Sequence, residues 1–419
     1  MIQNSVKNST PRENRTIVLP FNQLGYMDTL EEPKKFRNEL NSFIDKFPEL
    51  FPRGIENGYL MKEIRISKKT GIKTRRIIVD GSSFTIRPSF VMPYHVGFTD
   101  DVEKGLVLRK FDVPFWGLCH TFGKNAMFWY RMEQSIGRNS IVGTTVKNSD
   151  LLPGHLSADE KHSRRKGDKV YIPTTVGGQC ILGVSVSENA GESGLKKAYG
   201  KFRNEALNLN PQYQPKSVNT DGWKATVNAW KSLFPGIFII ACFLHVFIKI
   251  RDRSSRKFRD LFNTAADKMW DCYEALSKAS FSQRVRRLCE WADTGTMPDV
   301  ISKPVIKLKK NLKGYSNAYD VPGCHRTSNM VDRLMQRMDR HLLSTFYFHG
   351  SLEAAELSIR GWALIHNFAP CNPITVDRHN GWKCPAERLN KSRYHDNWLQ
   401  NLLISASLGG YRTPPPNPL

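Results

Sequence analysis

Three aspartates mark the positions where this chain could do chemistry. Asp159 lies in the run Ser157-Ala158-Asp159-Glu160, Asp221 follows the β-rich run 215–220, and Asp332 falls near the start of the helical stretch 327–348. They are separated by 62 (221 − 159) and 111 (332 − 221) residues. Carboxylates in such a set suit a hard divalent cation, which prefers oxygen and keeps open positions for water and phosphate oxygens. Two Mg²⁺ or Mn²⁺ ions roughly 4 Å apart activate a nucleophile and stabilise the leaving oxygen of an in-line displacement. One acid must bridge both ions from a rigid central position, and Asp159 is the natural bridge. Glu160 is its rival, but side chains alternate along a strand, so Glu160 faces the other way. His162 shares that other face, as a structural or phosphate-near residue. Asp339, seven residues after Asp332, falls on nearly the same helix face and ranks second there.

The surrounding elements read as follows. Residues 155–162 form a strand, 169–176 and 179–188 a hairpin about Gly177-Gly178, and 193–209 a helix with Leu195, Tyr199, Phe202 and Ala206 on one face. A strand at 215–220, a helix at 223–233 and a strand at 236–243 follow. The last is continuously apolar over 237–243, as a strand buried on both faces would be. Residues 251–325 read as a mainly helical insertion rich in lysine, including Lys303, Lys307, Lys309, Lys310 and Lys313, and 326–405 as the closing helices. Trp270 and Trp291 within the insertion suit its core better than stacking on an unpaired base. The proline-rich tail, 406–419, is expected to be disordered.

Upstream, 32–51 reads as a helix with Phe36, Leu40, Phe43, Ile44 and Phe47 on one face, entered through a capping box of Thr29 and Glu32. Residues 59–67 and 73–79 form a β-hairpin whose turn carries Gly71 and a cluster of Lys68, Lys69, Lys73, Arg75 and Arg76. That cluster is either a solvated turn or a phosphate contact. Residues 101–136 read as three short helices with Gly123 at a turn, a plain bundle or a helix-turn-helix. In the second reading Trp129, Tyr130 and Arg131 face a DNA groove. The polar stretch 138–150 would be a linker, which makes 1–150 an N-terminal DNA-binding region.

Composition supports a polyanionic partner. The 419 residues carry 62 Lys+Arg against 39 Asp+Glu, a formal +23. A field of that sign gains affinity by neutralising phosphates and releasing counterions. A membrane is not expected as partner: the longest apolar run, 236–248, falls short of the about 20 residues a span needs, and residues 1–16 lack the apolar core of a signal peptide. The eight cysteines are scattered, which fits a reducing compartment. Cys371 and Cys384 flank His379, but no second ligand pair stands at zinc-like spacing.

Two motifs carry a family resemblance. Cys242-Phe-Leu-His245 looks like the Cys-x-x-His signature that follows the second aspartate in Mutator-like transposases and their prokaryotic insertion-sequence relatives. Arg326-Thr-Ser-Asn329-Met-Val-Asp332 is similar to that group's helix-opening motif, in which the third acid stands three residues after the asparagine. The resemblance spans roughly 156–348. It implies a mixed-sheet ribonuclease H-like core, with acids on the first strand, after the fourth strand and on a later helix, here interrupted by the all-α insertion. The usual third acid is glutamate, so this chain would be an all-aspartate variant. The implied activity is a DNA transposase of an insertion sequence: hydrolysis at the element's end, then attack of the freed 3′ hydroxyl on target DNA. Implied too are double-stranded DNA as element ends and target, a homodimer or higher oligomer on DNA, and a cytoplasmic, nucleoid-associated location. The rivals are a transposase-derived DNA-binding protein that no longer cuts and a ribonuclease H-like nuclease without strand transfer. Cys242 and His245 are expected as a core pair at the strand-to-helix junction, with His245 beside the scissile phosphate as the alternative. Asn329 is expected to cap the last helix, while Arg326 is left between support and phosphate contact.

Overall fold

A computed structural model describes residues 14–293 and 295–411. The chain opens with β1 (Thr16–Leu19), α1 (Tyr26–Glu31), α2 (Pro33–Lys46), β2 (Leu60–Ile66), β3 (Lys73–Val79) and β4 (Ser82–Pro88). These strands form a sheet in the order β1-β4-β3-β2, with β1 parallel to β4 and the other pairs antiparallel. The hairpin expected over 59–79 is β2–β3. The helix expected over 32–51 stops at Lys46, because Pro48 has no N–H to continue it and disfavours helical backbone at Phe47. The expected capping box is not formed. Thr29 lies inside α1, and the residue before α2 caps nothing with its side chain.

Next come α3 (Thr99–Lys110), α4 (Phe115–Phe122), α5 (Ala126–Gly137) and α6 (Ile141–Thr145). Gly123 makes the α4–α5 turn at φ +69°, and the Asn125 side chain caps α5 through Phe128 N at 2.8 Å. The stretch 138–150 is not a linker. Ile141 and Val142 are fully buried, and one oxygen of the buried Glu205 accepts from Ile141 N and Val142 N at 2.6 and 3.1 Å. Three hydrophobic side chains in this short stretch (Ile141, Val142, Val146) outweigh its polar look.

A second sheet is built from β5 (His155–Arg165), β6 (Asp168–Gly177), β7 (Cys180–Val184), β8 (Ser217–Thr220) and β9 (Phe238–Ala241), in the order β7-β6-β5-β8-β9. β5, β8 and β9 are parallel, and β6 runs antiparallel to β5 and β7. Between the strands lie α7 (Glu192–Leu209) and α8 (Lys224–Leu233). Leu156, Ala158 and Val218 pack with Leu195, Tyr199, Phe202 and Trp230 of these helices. β9 departs from the expected doubly buried strand. It is an edge strand, Phe238 is 44% exposed, and only Ile240 is fully buried. An apolar run reports burial on average and cannot tell an edge from a centre.

The chain then turns directly into α9 (Phe243–Ser254), α10 (Arg259–Tyr273), α11 (Lys278–Ala292), α12 (Asp299–Lys310) and α13 (Leu312–Ser316), which share their own core. The helical insertion therefore starts at Phe243, ahead of the expected 251. Trp291 packs against that core, as expected, whereas Trp270 is 39% exposed and its ring meets the insertion 5.2 Å from the ring of Phe247. The closing helices are α14 (Asn329–Ser344), α15 (Leu352–Phe368), α16 (Pro373–Arg378), α17 (Pro385–Asn390) and α18 (Trp398–Ser405).

One hydrophobic core joins the N-terminal sheet, α3–α5, the outer face of β6–β7, α14, α15 and α18. α5 and α15 cross so closely that a Cβ at Gly137 would stand 1.9 Å from Leu357 O, and one at Gly361 2.1 Å from Glu133 O. Residues 1–150 are thus no separate body, so far as the described residues extend. Nor is the stretch 406–410 a loose tail: Leu408 is buried and Gly409 O accepts from Ser140 N at 2.8 Å. The prolines of 412–419 lie outside the described residues. Among those residues no helix is long and apolar enough to cross a membrane.

Candidate metal centre

β5 and β8 pair in parallel with His155 opposite Ser217 and Ser157 opposite Asn219. That offset of 62 (217 − 155) equals the spacing of Asp159 and Asp221. The two acids therefore reach the same level, Asp159 in the middle of β5 and Asp221 just past the carboxyl end of the adjacent β8. Alternation sends Leu156, Ala158 and Glu160 toward α7 and α8, whereas His155, Ser157 and Asp159 face the side crossed by α14. Lys161, on that second face, pairs with Asp339 of α14 at 2.5 Å. Asp332 lies in the first turn of α14, and His245 in the first turn of α9, just beyond the end of β9.

Asp159, His245 and Asp332 each offer a ligand atom, all within 4.8 Å of one another. Burial lifts the Asp159 carboxyl to about 6, with Asp221 and Asp332 adding to the rise and His245 opposing it. Asp221 is thus an electrostatic neighbour, and its Oδ1 is fixed by Trp223 N at 2.7 Å. Burial would push His245 down, but Cys242 beside it and the charges of Asp159 and Asp332 outweigh burial and lift it to about 9. Without a cation, an imidazolium is the positive charge that this acidic cluster keeps.

Ser328 ties the pieces together. Its Oγ donates to Asp332 Oδ2 at 2.7 Å and lies 3.4 Å from His245 Nδ1, while its backbone N–H donates to Cys242 Sγ at 3.1 Å. Cys242 is the buried residue that precedes α9, and through Ser328 it locks the start of α9 to the start of α14. The structural part expected of the Cys-x-x-His pair fits Cys242. His245 instead turns toward the acids. Sequence reasoning missed Ser328, since a serine four residues before an acid is one residue off the capping-box spacing and its side chain caps nothing.

Several expected residues take other roles. Asn329 does not cap α14: Ser328 holds the capping position and Asn329 is the first helical residue. Arg326 stands over the rings of Tyr273 and Tyr319, 4.5 and 4.8 Å from their centroids, and donates to Tyr319 Oη at 2.8 Å. It is a strut between the insertion and α14. Glu160, the rival first acid, accepts from Tyr199 Oη and Thr226 Oγ1 at 2.6 and 2.7 Å on the opposite face. His162 packs edge-on against Tyr171. Among the described residues, no metal-ligand cluster forms around Cys371, His379 and Cys384.

The residues expected at DNA also divide. Trp129 is 1% exposed and packs on Gly105, so it holds α5 to α3 and presents nothing to a groove. Tyr130 is half-buried against Phe115. Arg75 is buried, donating to Leu30 O at 2.9 Å, because its strand alternates inward at that point. Lys73 pairs with Glu31 at 2.6 Å and Arg76 with Glu63 at 2.7 Å. Lys68, Lys69 and Arg131 stay exposed, and among the described residues none of the three forms an ion pair.

Compared with known proteins, no family model matches this chain and no curated protein matches it.

Proposed function

We propose that this chain is a metal-dependent DNA transposase with a ribonuclease H-like core, in which Asp159, Asp221 and Asp332 form the catalytic acid set. The observation that carries the reading is the meeting of Asp159, from the first strand of a five-stranded mixed sheet, with His245 and with Asp332 from a helix crossing the same face, while Asp221 follows the end of the adjacent fourth strand as an electrostatic neighbour. That is the placement such a core calls for, with an all-α segment inserted before the last acid. The formal charge of +23 adds the affinity for phosphate that a DNA enzyme needs.

The donor set fits a hard divalent ion: carboxylate oxygens predominate, and the strain of ionising buried Asp159 is relieved by a cation. When bound, two Mg²⁺ or Mn²⁺ ions supply polarisation of the phosphate and an activated nucleophile. The chain's own residues do the positioning. Asp159 takes the central place on its strand. The loop after β8 holds Asp221 through Trp223 N, and Ser328 holds Asp332. The ion pair Lys161–Asp339 ties α14 to β5 on the face where Asp332 lies. His245, at the start of α9, faces the same cluster and is available either as a further ligand or as a hydrogen-bond partner of the phosphate.

Supercoiled plasmid with Mn²⁺ or Mg²⁺ is the test. The wild-type chain should nick or linearise it, and Asp159→Asn, Asp221→Asn and Asp332→Asn should each abolish cutting while leaving DNA binding nearly intact. Cutting by Asp332→Asn at the wild-type rate would remove the third acid. No cutting by wild type, with DNA still bound, would favour a descendant that binds without cleaving.

A further inference from the structure

A groove of about 820 Å³ opens between the β2–β3 turn and the exposed side of α5, a size within the usual range of ligand sites. Lys69, Arg131 and Arg138 supply three cations to its wall, Tyr94, Met127 and Phe128 supply apolar surface, and no carboxylate lines it. Tyr94 is 60% exposed and Met127 51% exposed. The Arg138 guanidinium lies 5.6 Å from the centroid of the Tyr94 ring, and the Lys124 ammonium 5.9 Å from that of Phe128. Among the described residues, none of Lys69, Arg131 and Arg138 forms an ion pair with an acid.

The backbone that presents Tyr94 is strained. Tyr94 and His95 are consecutive non-glycine residues at φ +60° and +51°, a conformation that costs on the order of 1 kcal/mol or more per residue and gathers at binding sites. It throws a large ring into solvent where burial would have been the stable outcome. Burial, with Arg87 and Lys69 close by, depresses the His95 imidazole.

We infer that this groove binds an unpaired nucleotide of a DNA strand, its base stacked on Tyr94 and its flanking phosphates held by Lys69 and Arg131. A paired base inside a duplex has no free face to offer Tyr94, whereas an unstacked base does. An exposed ring backed by arginine, walled by cations without an acid, suits a base and its phosphates together. An acidic peptide would use the cations and leave the ring and Met127 unsatisfied. The inference rests on the DNA-binding part of the proposed function and is independent of cutting, since none of the groove residues belongs to the acid cluster.

The test uses the full chain without metal and fluorescent 20-nucleotide DNA as a single strand, a blunt duplex, and a duplex with a single-stranded extension. A 2-aminopurine base in the unpaired segment reports stacking. The single strand and the extended duplex should bind more tightly than the blunt duplex, with 2-aminopurine emission quenched. Tyr94→Asn keeps a residue that tolerates the left-handed backbone. It should restore the emission and weaken single-strand binding by about five- to a hundredfold, with blunt-duplex affinity within twofold. Arg131→Ala should lower the salt slope of single-strand binding by about 0.7. Equal affinity for the three DNAs, or an unchanged quench in Tyr94→Asn, overturns the inference, as does tighter binding of single-stranded RNA or of an acidic peptide. Nicking of plasmid is scored separately. Cutting with no unpaired-strand preference sinks this site alone, and unpaired-strand binding without cutting sinks only the catalytic reading.

Discussion

Replacing Asp159 with asparagine should make the metal-free protein more stable while removing its response to metal. Burial holds the Asp159 carboxyl at about 6 against an ordinary value of 3.8. At about 1.4 kcal/mol per pKa unit, keeping it ionised at neutral pH costs on the order of 3 kcal/mol. The neutral amide removes that cost, but His245 loses one of the charges that stabilise its imidazolium, so the net gain should be about 1–3 kcal/mol. With an unfolding entropy of about 2.1 cal/mol/K per residue, a chain of this length shifts by about 1 °C per kcal/mol. The sign follows from linkage. A carboxyl whose folded pKa is raised gives stability that is complete below 3.8 and lost as pH rises through about 6. The variant's advantage should therefore be largest near pH 7.5 and smaller at pH 5. Thermal melting in EDTA at both pH values measures it. Mn²⁺ at a hundred times its dissociation constant should then stabilise wild type by about 2.7 kcal/mol and the variant hardly at all, so that the order of the two proteins inverts or closes. A variant that melts below wild type in EDTA at pH 7.5, or that gains as much from Mn²⁺, would refute the reasoning.

Two further outcomes follow from the same geometry. Ser328→Ala removes the 2.7 Å hydrogen bond to Asp332 and should weaken Mn²⁺ binding about tenfold, read from the Mn²⁺ dependence of melting; an unchanged affinity would reduce Ser328 to a tie between α9 and α14. Glu133 is fully buried with Arg109 at 2.9 Å and Ser358 Oγ at 2.8 Å, so Glu133→Ala should destabilise by about 3–5 kcal/mol by leaving Arg109 uncompensated. A loss below about 1 kcal/mol in denaturant unfolding would show that water reaches the site.

How much of this was legible in the residues differs by kind. Periodicity and turn chemistry are local, so the β2–β3 hairpin, the three helices before residue 137, the β6–β7 turn at Gly177-Gly178 and the order of elements from β5 to α14 could all be read along the chain. So could the candidate acids, since an aspartate within a β-rich run, just after one or at a helix start is recognised by its neighbours in sequence. The strands β1 and β4 were not legible: four residues of β1 carry too little pattern, and β4 mixes serine, threonine and arginine with Phe84 and Ile86.

Tertiary structure alone decided which candidates meet. The parallel register of β5 and β8 brings Asp159 and Asp221 to one level, and the turn from β9 into α9 swings His245 toward them. α14 carries Ser328 and Asp332 onto the same face. It also sorted the basic and aromatic residues of the N-terminal part. Arg75 and Trp129 went inside and Arg131 outside, although in sequence all three read alike. The physical reason is that a side chain's direction depends on which face of its element is covered. That cover comes from α2, α3 and α15, segments remote in the chain, whose positions no local pattern encodes.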